Sequence, residues 1–134
     1  MSNQDVNNLV SDFNSTLLDF SKSLAVVSPN SIIGKNIKDI EKAILYTESK
    51  NKFIEIFIEK ILIYKEKIDN KDESFFLDKS YNNDLENDAS LMSKVFEFKD
   101  IWQGLSEQNK NIIFQYMSIL CQLSQQYFIF VFDK

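Results

Sequence analysis

The stretch VNNLVSDFNSTLLDFSKSLAVV, residues 6–27, decides the fold class. Val6, Leu9, Val10, Phe13, Leu17, Phe20, Leu24 and Val27 recur mostly at spacings of three and four. Side chains so spaced lie on one face of an α-helix, so the segment reads as an amphipathic helix with a single apolar stripe. Asp12, Asp19 and Lys22 fall off the stripe. Ser28-Pro29-Asn30 ends the segment, because proline cannot continue the hydrogen-bond ladder and its polar neighbours suit a new helix start.

Toward the C-terminus the same period returns. Ile33, Ile37, Ile40 and Ile44 predict a second, shorter helix over about residues 35–48, with Gly34 weakening its first turn or marking a later start. After the polar run Thr47–Asn51, residues 52–68 read as a third helix. Its stripe of Phe53, Phe57, Ile61, Tyr64 and Ile68 is broadened by Ile54, Ile56, Ile58 and Leu62, so it is expected to be the most buried. The rhythm then fails over residues 69–90, DNKDESFFLDKSYNNDLENDAS, an acidic loop in which 78–89 is the longest irregular connection. Within it Phe75-Phe76-Leu77 either adds one helical turn or plugs the edge of the core. Leu91, Val95, Phe98 and Trp102, with Met92, Phe96 and Leu105, restore helical spacing up to Gly104. Ser106 reads as the N-cap of a last helix that carries Ile113, Tyr116, Leu120, Leu123 and Tyr127 on one face.

Composition agrees with this pattern. Two glycines and one proline in 134 residues are too few for a protein built of tight turns, and hydrophobic residues at 44% suffice for one core. The expectation is an all-α fold, a single domain over 1–134, built as an irregular helical bundle of about five helices with one acidic loop. The polar glutamines of the last helix argue against a membrane span, and MSNQDVNN does not resemble a signal peptide.

The chemistry open to the chain is narrow. There is no histidine, one cysteine and no arginine among fifteen basic residues, against twenty carboxylates for a net charge of −5. Histidine-dependent triads and zinc clusters are excluded, and two glycines seventy residues apart form no phosphate-binding loop. A broad nucleic-acid-binding face is disfavoured by the charge, and lysine alone lacks the planar fork that grips phosphate. Lys50, Lys52, Lys60, Lys65 and Lys67 alternate with glutamates as on a solvated helix face. Asp69, Asp72, Glu73 and Asp78 crowd one loop, but without the glycine and terminal glutamate of a calcium loop. Cys121 reads as structural and Trp102 as a core anchor. No catalytic residue, metal ligand or cofactor is expected.

The candidate site is the end of the last helix. Tyr127, Phe128, Ile129, Phe130, Val131 and Phe132 are apolar all round, and period alone fits helix or strand. Six such side chains cannot share one helix face, so either the domain folds over this end or a protein partner or second copy covers it.

Three stretches also carry a likeness. Phe13-Asn14 with Leu17-Leu18-Asp19-Phe20, then Asp72-Glu73-Ser74-Phe75-Phe76-Leu77, then Phe98-Lys99-Asp100-Ile101-Trp102 with Leu105-Ser106-Glu107-Gln108-Asn109-Lys110, resemble an uncharacterised protein family of giant nucleocytoplasmic large DNA viruses. The resemblance spans most of the chain and departs from the family pattern at Asn30, where an acidic residue is expected after Pro29. It implies a viral source and a place in the host cell cytoplasm or viral factory, or in the virion. It supplies no activity. The leading expectation is a non-enzymatic viral protein–protein interaction or virion-associated structural protein. A nucleic-acid-associated accessory protein of the viral factory stands second and a carboxylate-metal enzyme third.

Overall fold

The computed structural model of the chain describes residues 2–77, 95, 96, 98 and 101–132. Among these residues the fold is all-helical and holds no strand. The first helix, α1 (Asn3–Val27), begins at a reciprocal cap: the Asp5 amide donates to the Ser2 hydroxyl at 3.2 Å, and the Ser2 amide donates to the Asp5 carboxylate at 3.0 Å. Those two bonds to Ser2 hold the Asp5 carboxyl below its ordinary range. The expected stripe is the buried face, running from Leu9 to Leu24, and two polar residues lie within it. Ser21 satisfies its hydroxyl on the Leu17 carbonyl, and the Asn14 amide donates to the Lys50 carbonyl at 3.0 Å, tying the helix to a distant loop.

The second predicted helix begins earlier than expected and is split into α2 (Ile32–Lys35) and α3 (Ile37–Tyr46). Ser31 caps α2 by accepting from the Gly34 amide at 3.2 Å. Gly34 does more than weaken a turn, because a Cβ there would collide with the backbone carbonyls of Pro29 and Ser28. Its absent side chain lets α2 fold back tightly on the end of α1.

The predicted helix over 52–68 is likewise broken. α4 (Lys52–Lys60) ends where Ile61 leaves helical geometry, a 3-10 turn covers Leu62–Tyr64, and α5 (Lys65–Asp69) resumes. No glycine or proline marks the break, but the segment is rich in isoleucine, whose branched side chains crowd the preceding turn of a helix. Across this break Ile61 and Ile68 stay buried and Tyr64 stacks on Phe75, with ring centroids 5.4 Å apart.

Residues 78–89, the expected irregular connection, lie outside the described residues, as does most of the helix expected over 91–104. The described part of the acidic loop ends in a 3-10 turn, Glu73–Leu77, in which Phe75 and Phe76 are fully buried. Val95, Phe96 and Phe98 are buried too, and Trp102–Gly104 form another 3-10 turn. The break at 104–106 stands where expected, and Ser106 accepts from the Asn109 amide at 3.1 Å to start the last helix, α6 (Glu107–Phe132).

α1 and α6 run side by side and antiparallel. Near the end of α1, Phe20 stacks on Tyr116 at 5.1 Å and the Ser23 and Tyr116 hydroxyls meet at 3.3 Å. The remaining elements close the core with aromatic rings. Phe13 meets Phe57 edge-on at 5.4 Å, Phe57 meets Phe96 at 5.4 Å, and Phe76 joins Phe98, Trp102 and Phe114 at 4.9, 4.5 and 5.5 Å. Edge-on and tilted pairs set the positive rim of one ring against the negative face of another, which adds to the gain from burial.

Candidate functional site

The residues that invited a chemical reading are each engaged in local contacts. Asp69 forms an ion pair with Lys65 and accepts from the Ser118 hydroxyl, Asp72 accepts from Ser74, and Glu73 lies 3.7 Å from Lys110. Asp78 is outside the described residues. Among the described residues no group of three or more potential ligands could hold a metal ion. The lysines are dispersed as well: Lys50 donates to the Leu45 carbonyl, Lys52 sits over the Phe53 ring, and Lys60 pairs with Glu59.

Cys121 is fully buried, and burial is the main cause that pushes its thiol up to about 12, with Asp69 adding to it and Lys65 opposing. A thiol so shifted holds almost no thiolate at neutral pH and is a poor nucleophile. Trp102 is buried among Phe76, Phe98 and Phe114, with the Lys110 ammonium 5.5 Å from its ring, and its indole N–H has no acceptor among the described residues.

The end of α6 is different. It stays helical through Phe132, which resolves the choice between helix and strand that period left open. Its six apolar residues divide by direction. Tyr127 turns inward, its hydroxyl donating to the Glu55 carboxylate at 2.9 Å, and its pKa is pushed up to about 12 by burial first and by that carboxylate second. Phe130 and Val131 are half-buried. Phe128, Ile129 and Phe132 are 44%, 52% and 61% exposed, and the rings of Phe128 and Phe132 lie 5.2 Å apart.

The exposure has a clear origin. Phe114, Met117, Cys121, Phe128 and Phe132 recur at helical spacing down one flank of α6. The first three are buried, Phe114 against Trp102 and Phe76, and Cys121 close to the Lys65–Asp69 pair of α5. Beyond Cys121, Ser124 and Tyr127 stay buried while Phe128 and Phe132 are partly exposed, so the apolar stripe reaches water at the end of the helix. Together the three exposed side chains leave on the order of 300 Å² in water, an area comparable to the patches at which many monomers make contacts.

A second uncovered apolar region lies at the opposite end of the α1–α6 pair. There Phe20, Leu24, Val26 and Val27 of α1 and Ile112 and Ile113 of α6 line a groove of about 360 Å³. Val26 and Ile112 lie off the apolar stripes read from the sequence, so periodicity does not single out this groove.

Among the described residues no helix is long and apolar enough to cross a membrane. No family model matches the chain, and no curated protein or solved structure matches it.

Proposed function

We propose that this chain is a non-enzymatic protein-interaction protein that presents the last turns of α6 to a protein partner. The supporting observation is the apolar flank of α6, buried as far as Cys121 and bare at Phe128 and Phe132. An apolar stripe that continues past its own bundle lowers its free energy by burial elsewhere, at about 25 cal/mol per Å² removed from water. The resemblance to giant-virus proteins favours a setting in the viral factory or the virion, where such a contact would join a structural assembly.

The test uses tagged wild-type chain and the variant Phe128→Ser/Ile129→Ser/Phe132→Ser, each captured from the cells that produce it, with co-purifying proteins quantified by mass spectrometry. A defined protein held at a fixed ratio by the wild type and lost from the variant is the expected result. Equal recovery of every protein by the two chains would sink the proposal.

A further inference from the structure

The two uncovered apolar regions have opposite shapes. At one end of the bundle Phe128 and Phe132 project from α6 as a paired knob, flanked by Ile129. At the other end the groove between α1 and α6 is concave and almost wholly apolar, with Val26 82% exposed at its rim and Ile112 37% exposed. We propose that the knob of one copy seats in the groove of a second, so that the chains associate head to tail. This rests on reading the α6 end as a contact surface, and adds the identity of what it contacts.

Three features of the molecule favour a second copy as the occupant. The groove, at about 360 Å³, lies at the small end of the roughly 300–1,000 Å³ range of ligand pockets, a size suited to phenyl rings, and it offers few polar groups to orient a cofactor. Charge also fits. Lys22 lies on the groove rim with no ion pair among the described residues, whereas the last turn of α6 carries the negative end of the helix dipole and no basic residue. Lys22 of one copy would therefore meet the terminal carbonyls of the other. Finally, shape separates the two arrangements: two convex knobs pressed together leave the groove of each copy in water, whereas a knob seated in a groove also covers Val26 and Ile112.

The consequence is an open association. Ile112 and Phe128 stand sixteen residues apart on α6, roughly 24 Å along its axis, so each copy that offers its knob leaves its own groove free for the next. A heterologous contact of this kind builds chains unless its rotation happens to close a ring. The modest area makes the contact weak and dependent on concentration.

Sedimentation velocity on two complementary variants tests this. Phe128→Ser/Phe132→Ser removes the knob and keeps the groove; Val26→Glu/Ile112→Glu spoils the groove and keeps the knob. Circular dichroism confirms that each is folded. The wild type is expected to grow steadily beyond dimer as its concentration rises, each variant alone to stay monomeric, and an equimolar mixture to form a 1:1 complex that grows no further. Lys22→Glu, at an exposed position, keeps the groove and should weaken wild-type association by about threefold to tenfold.

Self-association of the groove variant at wild-type strength would overturn the head-to-tail contact in favour of paired knobs. A wild type that stays monomeric at every attainable concentration, while loss of the knob still releases a different protein in the capture experiment, would overturn the second copy and leave the interaction reading standing. If the knob variant matched the wild type in both experiments, both readings would fall.

Discussion

Phe57→Ala should be among the most damaging single substitutions in the chain. Phe57 is fully buried on α4 and bridges α1 and Phe96, with Phe13 edge-on at 5.4 Å and 71° and Phe96 at 5.4 Å and 66°. Truncation to alanine removes the ring from a site bounded by three elements that cannot collapse together without losing their other contacts. The expected cost is about 3–5 kcal/mol. For a chain of 134 residues, an unfolding entropy of about 2.1 cal/mol/K per residue turns that cost into a fall in Tm of about 10–18 °C. Phe57→Leu separates the two contributions, because it restores much of the apolar volume without the ring pairs. It should cost about 1–3 kcal/mol, the worth of two aromatic contacts beyond area. Urea denaturation followed by both fluorescence and circular dichroism supplies the values, with coincident transitions as the check on two-state behaviour. A loss below about 1 kcal/mol for Phe57→Ala would mean that the ring does not link α1, α4 and Phe96 as described.

Three further outcomes follow from particular residues. Trp102→Ala should cost about 3–5 kcal/mol, while Trp102→Phe should cost less than half as much, because phenylalanine keeps contacts to Phe76 and Phe114 and removes a buried N–H that has no acceptor among the described residues; equal losses by denaturation would refute this. Gly34→Ala should lose about 1–3 kcal/mol, since its Cβ meets the Pro29 and Ser28 carbonyls, whereas Gly104→Ala, with open space around it, should stay within about 0.5 kcal/mol in the same assay. Folding raises the Tyr127 pKa from 10.0 to about 12, so the folded state holds this proton more tightly than the unfolded one. That contribution is complete below pH 10 and disappears as pH climbs through 12, so Tyr127→Phe should show a shallower alkaline loss of Tm than the wild type.

Much of this architecture is legible in the residue pattern, and the departures have local causes. The α1 stripe and the boundary at Pro29 follow from period and from proline chemistry, and both stand in the structure. The Ser106 cap follows from residue type at a helix start, and its hydrogen bond to Asn109 is present. No glycine or proline announces the break at Ile61, and it accompanies the stacking of Tyr64 on Phe75, a contact between segments that periodicity treats separately. Gly34 shows the same limit, since the close approach of Pro29 that demands a glycine is a tertiary fact.

The candidate surface was located by its composition, but its division was not. Tyr127 points in toward α4, where its hydroxyl meets Glu55, while Phe128 and Phe132 are partly exposed, and such a tertiary contact is not written in the residue period. One trace of this is present in the sequence: Phe114, Met117, Cys121, Phe128 and Phe132 keep helical spacing down one flank to the end of α6.

Unfolding and association of Phe128→Ser/Ile129→Ser/Phe132→Ser, measured side by side with the wild type, decide whether the end of α6 is a contact surface or part of the core. Phe128, Ile129 and Phe132 leave 44%, 52% and 61% of their surface in water, and substitutions at such surface positions change stability by no more than about 0.5 kcal/mol each, so the variant should keep a urea midpoint near that of the wild type and lose association. A variant that unfolds at much lower urea while its association with other chains is unchanged would place the end of α6 in the domain's own core and contradict the account.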